Sequence, residues 1–507
     1  MTDKPAMDAT PRGPQVARPG PVRRPPKNPL PPQPREGALY ASRVKIHPRR
    51  VDGLYRRIKW LVMIVTLGVY YLTPWIRWDR GPNAPDQAVL IDFPGRRFYF
   101  FFIEIWPQEV YYITGLLILA ALMLFLFTSL FGRVWCGYAC PQTVWTDLFI
   151  HVERFIEGDR NKRMKLDRAP WTFEKIWKRT LVHSVWLLIA VATGGAWVFY
   201  FGDAPTLIGQ IFRGEAPVAA YVAIAAFTFT TYSLGGLMRE QVCTYMCPWP
   251  RIQGAMFDAD TFLVSYKADR GEPRGPHKAG EPWEGRGDCI DCTACVQVCP
   301  VGIDIRNGPQ LECIQCALCI DACNEVMDKV GRPRGLIDYE TLAMPEARAR
   351  GERPRIRLVR PRTVFYAVMI IIVGAIMLYS LMTRDFLDLT VIHDRNPLYV
   401  TLSDGSIRNG YRLKIVNKTH ETRHFSVAAE GIAGLHILEG SGSGIANGQI
   451  TVGPDSVEEV RLFLGVTPEG LSERGLEDGD APIRITLVDE DSGEKLGKNT
   501  VFRAPKR

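Results

Sequence analysis

Twelve cysteines carry the reactive chemistry of this 507-residue chain, and all of them fall in four motifs. The densest is a tandem run. Cys289-x2-Cys292-x2-Cys295-x3-Cys299-Pro300 is followed, thirteen residues on, by Cys313-x2-Cys316-x2-Cys319-x3-Cys323. Two-residue gaps let three thiolates on one tight loop wrap a cubane face, while the fourth cysteine opens a helix and reaches across to a second cluster. The spacing predicts one [4Fe–4S] cluster on Cys289, Cys292, Cys295 and Cys323, and another on Cys299, Cys313, Cys316 and Cys319. Two zinc sites would instead show paired C-x2-C motifs separated by longer gaps. Asn324 stands where such a run usually has Pro after the fourth cysteine, and no ligand is affected.

The other four cysteines form an internal repeat. Cys136-Gly137-Tyr138-Ala139-Cys140-Pro141 and Cys243-Thr244-Tyr245-Met246-Cys247-Pro248 both read C-x-Y-x-C-P, with Arg133 or Arg239 just upstream. On a continuing helix, residues i and i+4 share a face. Each pair is therefore expected to present two thiols together, and neighbouring helices would let four soft ligands converge. Thiolates favour Cu(I), zinc or iron–sulfur over hard cations. A metal or redox site is expected at Cys136, Cys140, Cys243 and Cys247, open among copper, a further cluster and a transient disulfide. Met246 could add a thioether, but Met in an apolar helix is usually packing. His151, eleven residues after Cys140, reads as a surface or core residue.

The elements that position these motifs are membrane spans. Five apolar runs are long enough to cross a hydrocarbon core of about 30 Å: 60–76, 110–132, 181–202, 217–238 and 363–382. The shorter stretch 98–106 is expected at the interface. Lys and Arg set the orientation. Segments 1–59, 133–180 and 239–362 carry 14, 10 and 18 of them, against 4 and 1 in 77–109 and 203–216. That pattern places the amino terminus and every cysteine in the cytoplasm, and the final domain in the periplasm. Cysteines confined to the inner side suit reduced, metal-binding thiols rather than disulfides. The net charge of +8 is juxtamembrane, which speaks against a nucleic-acid partner.

Residues 1–48 are Pro-rich and basic and are expected to be a disordered cytoplasmic tail. The membrane domain runs over 49–265. A Gly- and Pro-rich linker is expected at 266–288 and the two-cluster ferredoxin domain at 289–340. Residues 384–507 alternate apolar and polar at period two, as in Ile483-Arg484-Ile485-Thr486-Leu487 and Val460-Arg461-Leu462-Phe463-Leu464. With turn signals at Asn409-Gly410 and Asp491-Ser492-Gly493, roughly seven strands of an immunoglobulin-like sandwich are expected. His183 alone lies within a span, so no haem is expected. No phosphate-binding glycine loop follows a strand, and the sequon Asn417-Lys418-Thr419 is too short to carry weight.

These features resemble one family. The segments 287–292, 299–308 and 319–323, with Pro48-Arg49-Arg50-Val51-Asp52-Gly53, both C-x-Y-x-C-P motifs, 270–274 and the placement of the sandwich, are similar to the FixG/CcoG/RdxA family of cbb3-type cytochrome c oxidase accessory proteins. The resemblance covers about residue 40 to the end. It implies a multi-pass bacterial inner-membrane oxidoreductase, a cupric reductase that turns Cu(II) into Cu(I) on the cytoplasmic side for oxidase biogenesis. Its cofactors would be two [4Fe–4S] clusters on the eight tandem cysteines, with copper as substrate or transient ligand at the other four. Implied partners are a cytosolic electron donor, a copper chaperone or exporter, oxidase assembly factors and membrane lipid; the oligomeric state, a homo-oligomer included, stays open. Two alternatives stand beside this reading. One is a quinol-linked electron-transfer subunit, because some ferredoxin-bearing subunits of nitrate reduction also repeat C-x3-C-P. The other is an oxidase assembly scaffold with structural clusters.

Overall fold

Hydropathy decides the helices of the membrane domain and charge pairing decides where they begin. The computed structural model describes residues 45–505, apart from 83, 279, 354, 439–444, 447–448 and 471–478, so most of the proline tail lies outside the described residues. Five helices among the described residues are long and apolar enough to cross a membrane: Leu54–Trp75, Pro107–Phe131, Phe173–Val198, Val218–Met238 and Pro361–Met382. The first starts six residues before the expected 60. Arg56 and Lys59, which a hydropathy reading excludes, are buried, and the Arg56 guanidinium meets the Asp147 carboxylate at 2.9 Å. Pairing removes the penalty that would otherwise end the helix there. The third span likewise starts eight residues early, with Thr172 accepting the Lys175 N–H as its cap.

Close glycine approaches bring the spans together in pairs. A Cβ on Gly115 would lie 2.4 Å from the Met377 sulfur, and one on Gly194 would lie 2.7 Å from the Ile224 carbonyl oxygen. The second span thus packs on the fifth and the third on the fourth, as small residues permit in lipid. The outward side chains, such as Ile371, Tyr379 and Met382, remain exposed.

The stretch 98–106 forms no helix. It contributes to an antiparallel ribbon of three strands, Val89–Asp92, Arg97–Phe100 and Ile103–Ile105. At the other end of the spans, strand Phe262–Tyr266 pairs antiparallel with Ile337–Thr341 and closes the ferredoxin module. That module therefore begins near 262, not 289. The expected linker 266–288 is stitched onto it: the Cys289 N–H donates to the Gly271 carbonyl, Gly275 N–H to the Cys289 carbonyl, and Arg270 Nε to Asp288 at 2.5 Å. Its glycines and prolines shape turns rather than a tether.

The carboxy-terminal domain is a two-sheet sandwich, with the sequence-expected alternation visible as burial. In Asp480–Asp489 and Ser456–Val466, residues Ile483, Ile485, Leu487, Val460, Leu462 and Leu464 point into the core while Arg484 and Arg461 are exposed. One sheet orders strands 435–437, 456–466, 407–417 and 387–393, with 400–401 beside 407–417; the other orders 445–446, 449–452, 423–430, 480–489 and 495–503. One turn reading changes, and the asparagine of the sequon that carried no weight proves to be buried. Asn409-Gly410 lies inside strand Ile407–Asn417, where buried Asn409 bonds both backbone groups of Arg503. Asn417 is buried too and its amide is held by three carbonyls, so the sequon nitrogen is not presented for modification.

Candidate iron–sulfur and thiol site

Each half of the tandem run coils round a cavity. Non-glycine residues adopt the left-handed backbone at matching points of the two loops, Asp291 and Thr293 in the first, Gln315 and Ala317 in the second. Such strain collects at functional loops. Here it turns successive thiols inward. Cys289, Cys292, Cys295 and Cys323 line one small cavity, together with Tyr266 and Arg306. Cys299, Cys313, Cys316 and Cys319 line a second of similar size. Cys295 borders both, so the cavities adjoin.

The donor chemistry of the cavities suits an iron–sulfur cluster. Apolar Val264, Ile303, Ile305 and Leu336 complete the walls. Burial pushes the Cys313 and Cys323 thiols up to about 12 and Cys299 to about 11. Four buried thiolates with no counter-charge would be costly. The iron of a bound cluster would displace those protons and supply the missing positive charge.

The C-x-Y-x-C-P motifs do not sit on continuing helices. After the second span the chain breaks at Gly132, whose φ is 59°, makes one short helix, Val134–Tyr138, and extends at Cys140 before Pro141 starts the helix to Glu157. After the fourth span the break is Arg239, φ 46°, followed by a π-helical turn, Val242–Met246, and extended Cys247 before Pro248. Both arginines are locked in place. Arg239 forms a buried pair with Glu153 at 2.5 Å, and Arg163 reaches the same carboxylate at 2.8 Å. Arg133 donates to the carbonyls of Leu311 and Pro250, which ties the second cavity's loop to the second motif's helix.

These breaks carry the thiols against the second cavity. Cys136 and Cys243 pack on the cluster of Ile314, Cys316 and Leu318. A Cβ on Gly137 would stand 2.7 Å from the Ile314 carbonyl oxygen and 3.0 Å from Cys316 N, so the two backbones touch. Tyr138 hydroxyl donates to the Cys316 carbonyl at 3.1 Å, and Arg133 N–H donates to Gln315 Oε1 at 2.8 Å. Gln142 then joins the motifs, its amide donating to Leu234 and Arg239 carbonyls at 2.8 and 3.1 Å. Burial, and then the neighbouring Cys140 thiol, push Cys136 and Cys243 up to about 12, with Cys247 contributing to both. Cys136 donates to Gln253 Oε1 at 3.2 Å; Cys247 alone of the four is exposed. The four thiols are electrostatic neighbours beside the second cavity, with Cys247 open to solvent, but no three of their sulfurs lie within 4.8 Å of one another, so the expected convergence is not closed into a ligand set.

Of the declined candidates, the two histidines have other partners, and Met246 faces solvent. His183 Nδ1 shares a hydrogen bond with Tyr232 at 2.8 Å, His151 meets the edge of Trp60, and Met246 is exposed. Sequence reasoning missed Gly137, Gln142, Gln253 and Asp321. The signal was present for one of them: only the first motif has Gly after its leading cysteine, where the second has Thr. Asp321 caps the first span from the ferredoxin module. Its carboxylate accepts from Tyr55 N–H at 3.3 Å and Arg56 N–H at 2.8 Å, so tightly that a Cβ on Gly53 would overlap it.

Comparison with known proteins finds iron–sulfur domains and the carboxy-terminal sandwich in this chain. Residues 238–342 match the 4Fe-4S dicluster domain, 113–162 the 4Fe-4S binding domain, and 377–505 the "IG-like fold at C-terminal of FixG". The chain is 54% identical over 465 residues to the nitrogen fixation protein FixG of Rhizobium meliloti, covering 86% of this chain and 88% of that protein. It is 51% and 55% identical to the proteins RdxB and RdxA of Cereibacter sphaeroides, covering 93% and 85% of this chain and 98% and 91% of theirs. A FixG-related protein from Vibrio parahaemolyticus of known crystal structure is 23% identical, covering 24% of this chain and 98% of that one with a TM-score of 0.20.

Proposed function

Because the chain belongs to the family of FixG, RdxA and RdxB, we propose that this membrane iron–sulfur redox protein reduces Cu(II) to Cu(I) at its C-x-Y-x-C-P thiols, on the cytoplasmic side, during biogenesis of a cbb3-type oxidase. The carrying observation is the backbone contact of Gly137 with Ile314 and Cys316. It seats the thiol site directly on the second cysteine-lined cavity.

Cys289, Cys292, Cys295 and Cys323 would hold one [4Fe–4S] cluster, and Cys299, Cys313, Cys316 and Cys319 the other. When bound, such clusters supply reversible one-electron storage beside the thiols. The chain's own groups do the rest. Gly137, Tyr138, Arg133 and Gln315 fix the thiol site against the cavity loop. Exposed Cys247 is the point of entry for the ion, and Cys136, Cys140 and Cys243 would draw in around it to complete a soft donor set that favours the reduced product. Each Cu(II) gains one electron, supplied ultimately by a cytosolic reductant, and becomes Cu(I). Thiol protons leave to solvent as sulfur takes the ion.

Cys136→Ala and Cys247→Ala are expected to keep cluster EPR signals and lose copper reduction in a Cu(I)-chelator assay. Unchanged reduction in both variants rejects the site. A second reading has its own support: the 4Fe-4S binding domain matched at 113–162 spans Cys136 and Cys140, which favours a third cluster there. Iron analysis separates the two, at about eight against about twelve iron atoms per chain.

A further inference from the structure

At the end of the spans away from the cysteines, the ribbon between the first two spans meets the sandwich. Lys418 Nζ pairs with Glu109 at 2.8 Å, Arg384 donates to the Glu104 carbonyl at 3.0 Å, and Arg97 donates to the Asp455 carbonyl. Within this interface Glu104, from the ribbon strand Ile103–Ile105, faces His420 and Asp455, from two turns of the sandwich. One ligand atom from each lies within 4.8 Å of the other two.

The carboxylates are incompletely satisfied. Glu104 is 7% exposed and Asp455 5%, yet Glu104 Oε1 and Asp455 Oδ1 are buried without a hydrogen-bond partner. Asp455 Oδ2 and His420 Nδ1 share a proton at 2.6 Å. Asp455 is held at φ 45°, a left-handed backbone that an aspartate adopts at a cost. The cations near the carboxylates make their hydrogen bonds and ring contacts elsewhere, and Arg97 and Arg80 act on Glu104 only through space. Arg80 serves the carbonyls of Pro85, Gln87, Ala88 and Phe101, Lys418 serves Glu109 and Asp385, and Arg97 stacks on Trp106. Two buried carboxylates beside one imidazole thus each keep an unpartnered oxygen, and among the described residues no Lys or Arg forms an ion pair with either, an arrangement that costs free energy unless a positive ion joins it.

We propose that Glu104, His420 and Asp455 bind a divalent first-row transition-metal ion that clamps the sandwich to the membrane domain. One imidazole and two carboxylates form a nitrogen–oxygen set of borderline hardness, which prefers divalent ions to Cu(I). Ligand bonds of about 2.0–2.2 Å require only a small closure of the observed triangle. The ion replaces the proton shared by His420 and Asp455 and releases it to solvent; no redox change is involved. Spans of 21–26 residues, at about 1.5 Å per residue, separate this centre from the thiols by roughly 30 Å or more. It is therefore distinct from the copper-reducing site and does not rest on that assignment.

The test uses the full-length protein, purified without oxygen, stripped with a mild chelator and dialysed against buffered Zn(II). Zinc and iron are then counted for wild type, Glu104→Gln and His420→Ala. His420 is half-exposed, so its variant keeps the fold even if the buried Glu104 variant does not. Wild type is expected to retain one zinc ion per chain more than either variant, with iron unchanged; thiol-bound zinc is common to all three and cancels. In wild type alone, zinc should also slow proteolytic release of the sandwich. Equal zinc in wild type and His420→Ala, or protection of both alike, overturns the proposal.

Discussion

Replacing Gly137 by Ala tests the contact between the thiol site and the cluster loop without removing a ligand. Helix propensity alone would make this change favourable by up to about 1 kcal/mol, because Gly137 lies in the short helix Val134–Tyr138. The structure predicts the opposite sign. The new methyl carbon would lie 2.7 Å from the Ile314 carbonyl oxygen, where ordinary contact begins at 3.4 Å. The deficit, 3.4 minus 2.7, is 0.7 Å, and it is met by backbone, not by a flexible side chain. Overpacking of this kind costs about 1–3 kcal/mol, which corresponds to a 5- to 150-fold shift against the seated arrangement. Anaerobic stopped-flow reading of copper-dependent reoxidation should therefore slow, by up to that same factor, with iron content and EPR unchanged. Gly195→Ala is the control, since a Cβ there meets nothing within 4 Å. Wild-type reoxidation in Gly137→Ala would refute the idea that this contact couples the two sites.

Two further outcomes follow from the same interactions. Asp321→Ala removes the carboxylate that accepts the Tyr55 and Arg56 N–H groups, and should lower stability by about 0.5–2 kcal/mol, the usual cost of a lost cap; an unchanged thermal midpoint in detergent would contradict that role. Cu(I) affinity at the thiol site should rise with pH. Cys136 and Cys243, pushed up to about 12 chiefly by burial, hold protons at neutral pH that copper must displace, so each deprotonated thiol adds about tenfold per pH unit. Competition with a Cu(I) chelator at pH 6.5, 7.5 and 8.5, corrected for the chelator's own titration, measures the slope, and a flat profile contradicts thiolate ligation.

Local chemistry was legible in the sequence and long-range contact was not. Ligand spacing is imposed within a few residues, so the tandem run already pointed to two neighbouring pockets of thiols, and the structure has two cysteine-lined cavities that share Cys295. Alternation in Ile483–Leu487 became alternating burial because one strand face alone meets the core. The first span's true start was hidden because Arg56 is made acceptable by Asp147, 91 residues away. The C-x-Y-x-C-P cysteines looked helical by spacing, but the left-handed turns at Gly132 and Arg239 are stabilised by Gln315 and Glu153 from distant segments. Asn409-Gly410 carries turn chemistry and still lies in a strand, since Arg503 satisfies its amide. Gly137 offered only its small size, and its meaning appears when Ile314 is placed beside it.

The most direct measurement is a single turnover. Protein prepared without oxygen, its iron and sulfide counted, is reduced fully, freed of reductant and mixed with excess Cu(II) beside a Cu(I) chelator. About eight iron atoms and about two Cu(I) formed per chain are expected, the Cu(I) yield falling to background in the Cys136→Ala, Cys247→Ala double variant while its iron stays the same. Full Cu(I) yield from that variant, or oxidation of wild type that leaves Cu(II) unreduced, would contradict copper reduction at these thiols.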